Sequence, residues 1–271
     1  NFAPDHLDAH ASLQAYEDAK ATIWDHLAPG ATIVANADDP VVSARIPQRY
    51  QTDDSVSVQM FSISGDGADW HVDRSGSEPQ LAGPAGPFIA ISELTRSQPH
   101  DLANALAVAA IAGAVGATED GINETLRSFT GLAHRLEYLG SWDDVSWYND
   151  SKATVPHATV AAVGGFESVI LIAGGRSKGL SFDPLRATVP PVRSVVAIGD
   201  AAAEIEATFS DLVPVSRAAS MQAAIEQADE LAEPGDAVLL SPACASFDWY
   251  ANYVQRGIDF SNLVQAEVAK S

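Results

Sequence analysis

Short apolar runs that alternate with helical stretches constrain this chain more than any other feature. Residues 169–173, 195–198 and 237–240 are such runs, each ending in a polar or glycine-rich turn. Helical patterns near 155–163, 200–208, 219–232 and 249–270 lie between or after them. The alternation predicts βαβ units around a mainly parallel sheet. Right-handed crossovers place helices on both faces of such a sheet. Ligands then bind beyond the carboxyl ends of the strands. Asp150, Lys178 and Ser246 all follow predicted strand ends, so all three are expected on one rim.

The first half reads differently. Leu13, Tyr16, Ala19, Ile23, Trp24 and Leu27 recur at helical spacing, and Pro29-Gly30 stops that helix. Residues 32–35 form a short apolar strand. Between 55 and 93, short alternating segments separated by Gly, Asp, Ser and Pro predict a small antiparallel sheet. Residues 99–116 are Ala-rich and helical, and Thr118 caps a further helix that reaches Ser128. The pattern changes near Thr130-Gly131, after which strands are expected near 137–139 and 145–148. The expected fold class is α/β. One domain spans 1–131, and a Rossmann-like, doubly wound domain spans 132–271.

The chain has 271 residues, enough for roughly two domains at about 150 residues each. Hydrophobic residues make up 46%, ample for two cores. No apolar run is long enough to span a bilayer, and no secretory pattern opens the chain. One cysteine, Cys244, excludes an internal disulfide and fits a reducing cytoplasm. A formal net charge of −21 argues against nucleic acid, whose binding rests on many Lys and Arg. It leaves room for a small phosphorylated ligand held by local cations and helix N-termini. Against that charge the four lysines, Lys20, Lys152, Lys178 and Lys270, are conspicuous. Two of them fall in short polar motifs after predicted strands.

Four clusters carry chemistry. The first is His6 with Lys20. An imidazole can ligate a metal. A lysine can do so only after carbon dioxide turns its amine into a carbamate; taken alone, His6 reads as a capping or packed histidine and Lys20 as a surface cation. The second is His100-Asp101-Leu102-Ala103-Asn104 at the start of the Ala-rich helix. Its amide and carboxylate can read the edge of a base, but plain helix capping by Asp101 is the preferred reading. The third joins His134-Arg135 with Asn149-Asp150-Ser151-Lys152-Ala153-Thr154. Arg135 can clamp phosphate oxygens, Asp150 can accept from ribose hydroxyls, and Lys152 can hold a phosphoryl group or a carboxylate. The fourth joins Gly174-Gly175-Arg176-Ser177-Lys178 with Ser241-Pro242-Ala243-Cys244-Ala245-Ser246-Phe247-Asp248. The glycines permit close backbone approach, and the Ser/Cys-rich turn is expected to open a helix whose free N–H groups attract anions. Cys244 reads as a buried structural thiol rather than a nucleophile.

In this order the clusters resemble the Mur ligase family. The resemblance rests on Asp5-His6-Leu7-Asp8, Asn36-Ala37-Asp38-Asp39, Phe129-Thr130-Gly131-Leu132-Ala133-His134-Arg135-Leu136-Glu137, the Asn149 motif, the 239–248 stretch, and Asn252-Tyr253 with Arg256-Gly257. It covers essentially the whole chain, and the 241–248 stretch resembles the D-glutamate-adding branch. The resemblance implies the rear part of a central ATPase domain followed by a C-terminal domain that binds nucleotide and D-glutamate. It implies a cytoplasmic, monomeric, ATP- and Mg²⁺-dependent ligase of peptidoglycan synthesis that uses UDP-N-acetylmuramoyl-L-alanine and D-glutamate through an acyl phosphate.

The same resemblance gives each residue a role. His6 is similar to a metal ligand, and Lys20 to the lysine that is carbamylated to support a second metal. Asn104 matches an adenine-region asparagine, and Arg135 and Asp150 match nucleotide contacts. Lys152, Thr154, Lys178, Ser246, Phe247 and Tyr253 match the D-glutamate pocket. Asp101 stands where the family usually has an asparagine, and a carboxylate cannot donate to a base. Val155 replaces another common asparagine. Nothing in 1–271 reads as a phosphate loop. That loop, its acidic partner and a uridine-binding domain are expected before Asn1, so this stretch alone is expected to be inactive. Rival readings are another Mur-type or folylpolyglutamate-type ligase, and a nucleotide-binding remnant without activity.

Overall fold

The structure is a computed structural model that describes residues 1–5, 9–48, 50, 55–65 and 67–267. It divides into two compact units, Asn1–Thr130 and Gly131–Ser271.

The first unit opens with α1 (Leu13–Ala21), whose cap Ser12 accepts from the Ala15 amide at 3.1 Å. Strand β1 (Thr32–Asn36) follows, then the short helix α2 (Pro40–Arg45), β2 (Ser57–Ser62), β3 (Trp70–Asp73), β4 (Gln80–Gly83) and β5 (Gly86–Ala90). Helices α3 (Pro99–Ala114) and α4 (Glu119–Ser128) complete it. The five strands form one sheet in the order β1-β2-β3-β4-β5. β1 and β3 both pair parallel with β2, while β3-β4 and β4-β5 pair antiparallel. The segment read as a small antiparallel sheet is therefore part of a mixed one. Alternation fixes which side chains face the core but says nothing about strand direction. A side chain supplies a direction signal here. Asp38, just after β1, accepts from Ser62 Oγ at 2.7 Å and the Ile63 amide at 2.8 Å, so β1 and β2 end side by side. Burial raises the Asp38 pKa, but the hydrogen bonds from Ser62, Ile63 and Ser64 outweigh it and hold the carboxyl below its ordinary value.

α3 covers this sheet. Leu102, Ala105, Leu106, Ala109 and Ala110 form one buried stripe, and Leu102, Ala105 and Leu106 pack with Phe61, Val72, Leu81 and Ile89. Complete burial of Leu106 alone is worth about 1.5–3 kcal/mol. Asp101 does not cap the helix as expected. Gln98 is the N-cap and makes no side-chain capping bond, and the Asp101 carboxylate takes a 2.9 Å bond from Arg96 Nε instead. Thr118 does cap α4, accepting from the Gly121 amide.

In the second unit the strands are β6 (Glu137–Trp142), β7 (Val145–Asn149), β8 (Val169–Gly174), β9 (Val192–Ile198), β10 (Val215–Ala218) and β11 (Ala237–Leu240). The helices are α5 (Pro156–Val163), α6 (Ala202–Phe209), α7 (Met221–Leu231) and α8 (Tyr253–Glu267). Strand order is β10-β9-β8-β11-β7-β6. All pairings are parallel except β6-β7. That pair is a hairpin turned by Asp143 and Asp144, both left-handed at φ 50° and 63°, the backbone a tight hairpin needs.

Alternate residues of each central strand enter two cores. Leu171, Val195 and Leu239 pack with Val163, Leu185, Ile205 and Phe209 on one face. Ile170, Val196 and Val238 pack with Ile225, Phe260 and Val264 on the other. The connections leaving β7, β8 and β9 thus cover the first face, and those leaving β10 and β11 cover the second. β11 lies between β7 and β8 but sends its chain to the opposite side. Crevices at the carboxyl ends of a parallel sheet open at such reversals.

Two outcomes follow from this packing. Gly174 ends β8 at φ +128°, and a Cβ there would overlap the Ile198 carbonyl oxygen. Gly174→Ala should cost at least about 2 kcal/mol, read as a lower urea midpoint at unchanged slope; an unchanged midpoint would contradict it. Cys244 is fully buried, and burial pushes its thiol up to about 12. It should stay inert to an aromatic disulfide reagent at pH 8 until the protein is unfolded in urea; labelling of the folded protein within minutes would contradict the packing.

Candidate functional site

Three loops meet around the carboxyl end of β11, and each is fixed by side chains that the sequence places at strand ends. After β7, Asn149 is completely buried and its amide nitrogen shares its two hydrogens among His134 Nδ1 (3.1 Å), the Gly257 carbonyl (2.9 Å) and Ser261 Oγ (2.9 Å). Its carbonyl oxygen accepts from the Ser151 amide at 3.1 Å. Asp150 is also buried. It accepts from Ser241 Oγ at 2.8 Å and from the Leu136 amide at 3.3 Å, so it ties the loop after β7 to the loop after β11.

Lys152 is half-buried. Its amide donates to the His134 carbonyl at 3.0 Å, and its ammonium lies 4.1 Å from the centre of the Tyr253 ring. An ammonium over an aromatic face is attracted by the ring quadrupole and kept from wandering. Thr154 Oγ1 accepts from the exposed Lys178 ammonium at 3.3 Å, although the two residues are 24 apart in sequence. Lys178 follows Gly174 and Gly175, both at positive φ, which let the chain turn sharply off β8. A Cβ on Gly175 would overlap the Ala245 carbonyl oxygen, so only glycine lets the loops after β8 and β11 touch. They are joined there by reciprocal backbone bonds, Arg176 to Ala245 at 2.8 Å and back at 3.0 Å.

Ser246 is buried and Phe247 exposed. The segment was expected to open a helix at this point, but α8 begins only at Tyr253. The amides of Trp249 and Tyr250 bond to the Ser246 carbonyl, so a tight turn intervenes and the free helical N–H groups lie further on. Arg135 is exposed between His134 and Leu136, both non-glycine residues in the left-handed region at φ 64° and 46°. Such backbone is costly and tends to gather where a loop presents function.

The second unit thus pairs Lys152 with Tyr253 and Lys178 with Thr154, holds Asp150 against Ser241, and carries Ser246 and Phe247 on the loop joined to that of Lys178. Arg256 carries part of the family resemblance, but sequence reasoning gave it no role. It is 1% exposed, and its guanidinium reaches both the 150s loop and the 240s loop. Arginine amid Val254, Ile258 and Phe260 on a helix reads as a solvent-facing residue, and its burial has no local sequence signal.

In the first unit, Lys20 is exposed in the last turn of α1, its ammonium 4.9 Å from the Tyr16 ring centre. It lines a cleft of about 370 Å³ with Asn1, Glu17, Trp24, Asn36 and Arg45. Arg45 pairs with Glu17 and, at 2.7 Å, with Asp18. Asn104 sits on the exposed face of α3. His6 lies outside the described residues. Among the described residues, no three His, Cys, Asp or Glu side chains gather as a metal site. No helix among them is long and apolar enough to cross a membrane.

Comparison with known proteins follows the same division. Residues 1–112 match the family described as Mur ligase middle domain, and residues 134–244 match Mur ligase, glutamate ligase domain. A UDP-N-acetylmuramoylalanine--D-glutamate ligase of Symbiobacterium thermophilum is 38% identical over 274 residues, covering 98% of this chain and 59% of the relative. A protein of the same name from Frankia casuarinae is 40% identical, covering 98% of this chain and 56% of the relative. The chain therefore spans under two thirds of the length of these relatives. Among solved structures, MurF from Acinetobacter baumannii superposes with a TM-score of 0.69 at 20% identity, over 97% of this chain and 58% of that one. A pseudomurein peptide ligase type C from Methanothermus fervidus gives 0.71 at 15% identity, over 97% and 61%. Those two likenesses establish the fold. With middle and glutamate-ligase domain matches together spanning most of its length, the chain belongs to the Mur ligase family.

Proposed function

We propose that the protein carrying this chain is an ATP-dependent ligase that joins D-glutamate to UDP-N-acetylmuramoyl-L-alanine. The observation that carries the reading is the pairing of two scarce lysines, Lys178 with Thr154 and Lys152 with Tyr253, on loops that leave β7 and β8 at the reversal around β11. D-glutamate offers two carboxylates, and a cation close to each is what an otherwise acidic protein must supply. The names and identities of the relatives support the same substrate.

In this reading Lys178 and Thr154 hold one carboxylate of D-glutamate, and Lys152 the other, with Tyr253 keeping Lys152 in place. Ser246 and Phe247 close the pocket from the loop after β11. Asp150, anchored by Ser241, accepts from the ribose hydroxyls of ATP, and exposed Arg135 clamps its phosphates in fork geometry. Asn104 serves the adenine. Lys20, open to solvent, is free to take up carbon dioxide as a carbamate, and His6 serves as a metal ligand. The described residues do not by themselves fit a magnesium ion, since no three ligating side chains converge. Magnesium enters only as the usual companion of ATP phosphates.

The chemistry is phosphoryl transfer followed by acyl transfer. A carboxylate oxygen of UDP-N-acetylmuramoyl-L-alanine bonds to the γ-phosphorus as ADP leaves. The D-glutamate amine then attacks the acyl carbon, and phosphate departs with formation of the amide. The first step needs positioning and charge neutralisation more than covalent help from the protein. The second needs the amine near the acyl carbon, and two fixed carboxylates orient it there. We further propose that residues 1–131 act as the rear of a central ATPase domain and 132–271 as the glutamate domain, in a cytoplasmic monomer serving peptidoglycan synthesis.

Two outcomes test the reading. In the full-length protein, Lys178→Ala should raise KM for D-glutamate about tenfold or more, the worth of a lost charge-assisted bond, and move KM for ATP less than about threefold. Equal rises in both would remove Lys178 from the pocket. The purified 271-residue chain should form no glutamyl product from ATP, because nothing in it reads as a phosphate loop. Steady product formation would show that assignment to be wrong.

A further inference from the structure

Arg256 is, after Trp147, the largest side chain that the fold buries completely. A buried charge is costly unless its donors are satisfied. No carboxylate among the described residues pairs with it directly. Its guanidinium instead forks between two loops. Nε donates to Ser151 Oγ at 2.9 Å and Nη2 to the Ser151 carbonyl at 2.8 Å; Nη1 and Nη2 both donate to the Cys244 carbonyl at 3.1 Å. Ser151 Oγ in turn donates a hydrogen bond to the Tyr253 carbonyl at 2.8 Å, at the start of α8. Burial lowers the Arg256 pKa to about 10, which still leaves the group charged at neutral pH.

The arrangement has a direction. Ser151 precedes Lys152, and Cys244 stands two residues before Ser246. One planar cation therefore sets the spacing between a lysine and a serine from different loops. Asp150, next in the chain to Ser151, bonds to Ser241 and to the Leu136 amide. Lysine cannot replace the fork, because its three donors radiate from one atom and cannot reach both carbonyls and the hydroxyl in plane. We propose that Arg256 is a positioning residue whose guanidinium locks the loop after β7 to the loop after β11 and so sets the width of the amino-acid pocket between Lys152 and Ser246. The pocket half of this statement rests on the function proposed above.

The test uses Arg256→Lys and Arg256→Met in the full-length protein, with two readouts. Amide hydrogen exchange is followed at Lys152, Ala153 and Ala245, whose N–H groups bond to His134, Asp150 and Arg176. Steady-state kinetics give KM for D-glutamate and for ATP. Exchange at those three amides should accelerate about tenfold or more while the β8 and β9 amides keep their protection. KM for D-glutamate should rise about tenfold or more with KM for ATP within about threefold, since ångström-scale misplacement is costly at a reacting centre. Unchanged loop exchange would overturn the lock, whatever the kinetics. Faster exchange with equal rises in both KM values, or no rise in either, would overturn the pocket-specific role. Wild-type turnover with D-glutamate is measured first. Its absence would sink the function proposed above, and the exchange arm then judges Arg256 alone. Should Arg256→Met fail to fold, Ser151→Ala removes one acceptor of the fork and carries the same comparison.

Discussion

Everything at the candidate site depends on β11 entering the sheet between β7 and β8 while sending its chain to the opposite face. Neighbouring strands whose connections part in this way leave their carboxyl ends uncovered. Backbone that would otherwise be crossed by a helix becomes a rim of three loops. The rim is stiff because strands β7, β8 and β11 beneath it are largely buried and packed on both sides. Loops on such a base can hold side chains to the tolerance that recognition needs.

Polar ties then convert proximity into geometry. Asp150 to Ser241 joins the loops after β7 and β11, Arg176 to Ala245 joins those after β8 and β11, and Arg256 spans from α8 to both Ser151 and Cys244. Each tie satisfies a buried donor or acceptor that would otherwise count against folding. On the same rim the Lys152 ammonium lies over the Tyr253 ring and the Lys178 ammonium donates to Thr154 Oγ1.

Much of this was legible in the sequence because its cause is local. Uniformly apolar runs at 169–173 and 237–240 can only be strands covered on both sides, and the turns after them had to carry the polar motifs. Thr118 capped its helix for the same local reason. What failed to show was long-range. The direction of β2 depends on Asp38 meeting Ser62, and the Asp101 cap lost to an ion pair with Arg96. β10 is four residues at a sheet edge with Ser216 and Arg217 in it, too short and too polar to stand out. Arg256 shows the limit most clearly, since its acceptors lie 105 and 12 residues away and the helix around it gives no hint of burial. Roles for individual site residues are suggested only by the family resemblance, because a lysine after a strand has no function that spacing alone can name.

The measurement closest to the central claim is an amide chemical-shift titration of the ¹⁵N-labelled full-length protein with D-glutamate, with L-glutamate as control. Saturable shifts concentrated at Lys152 to Thr154, Lys178 and Ser246 are expected, with weaker response to the L isomer. Shifts scattered over the surface, centred elsewhere, or equal for both isomers would contradict a D-glutamate pocket at the β11 reversal.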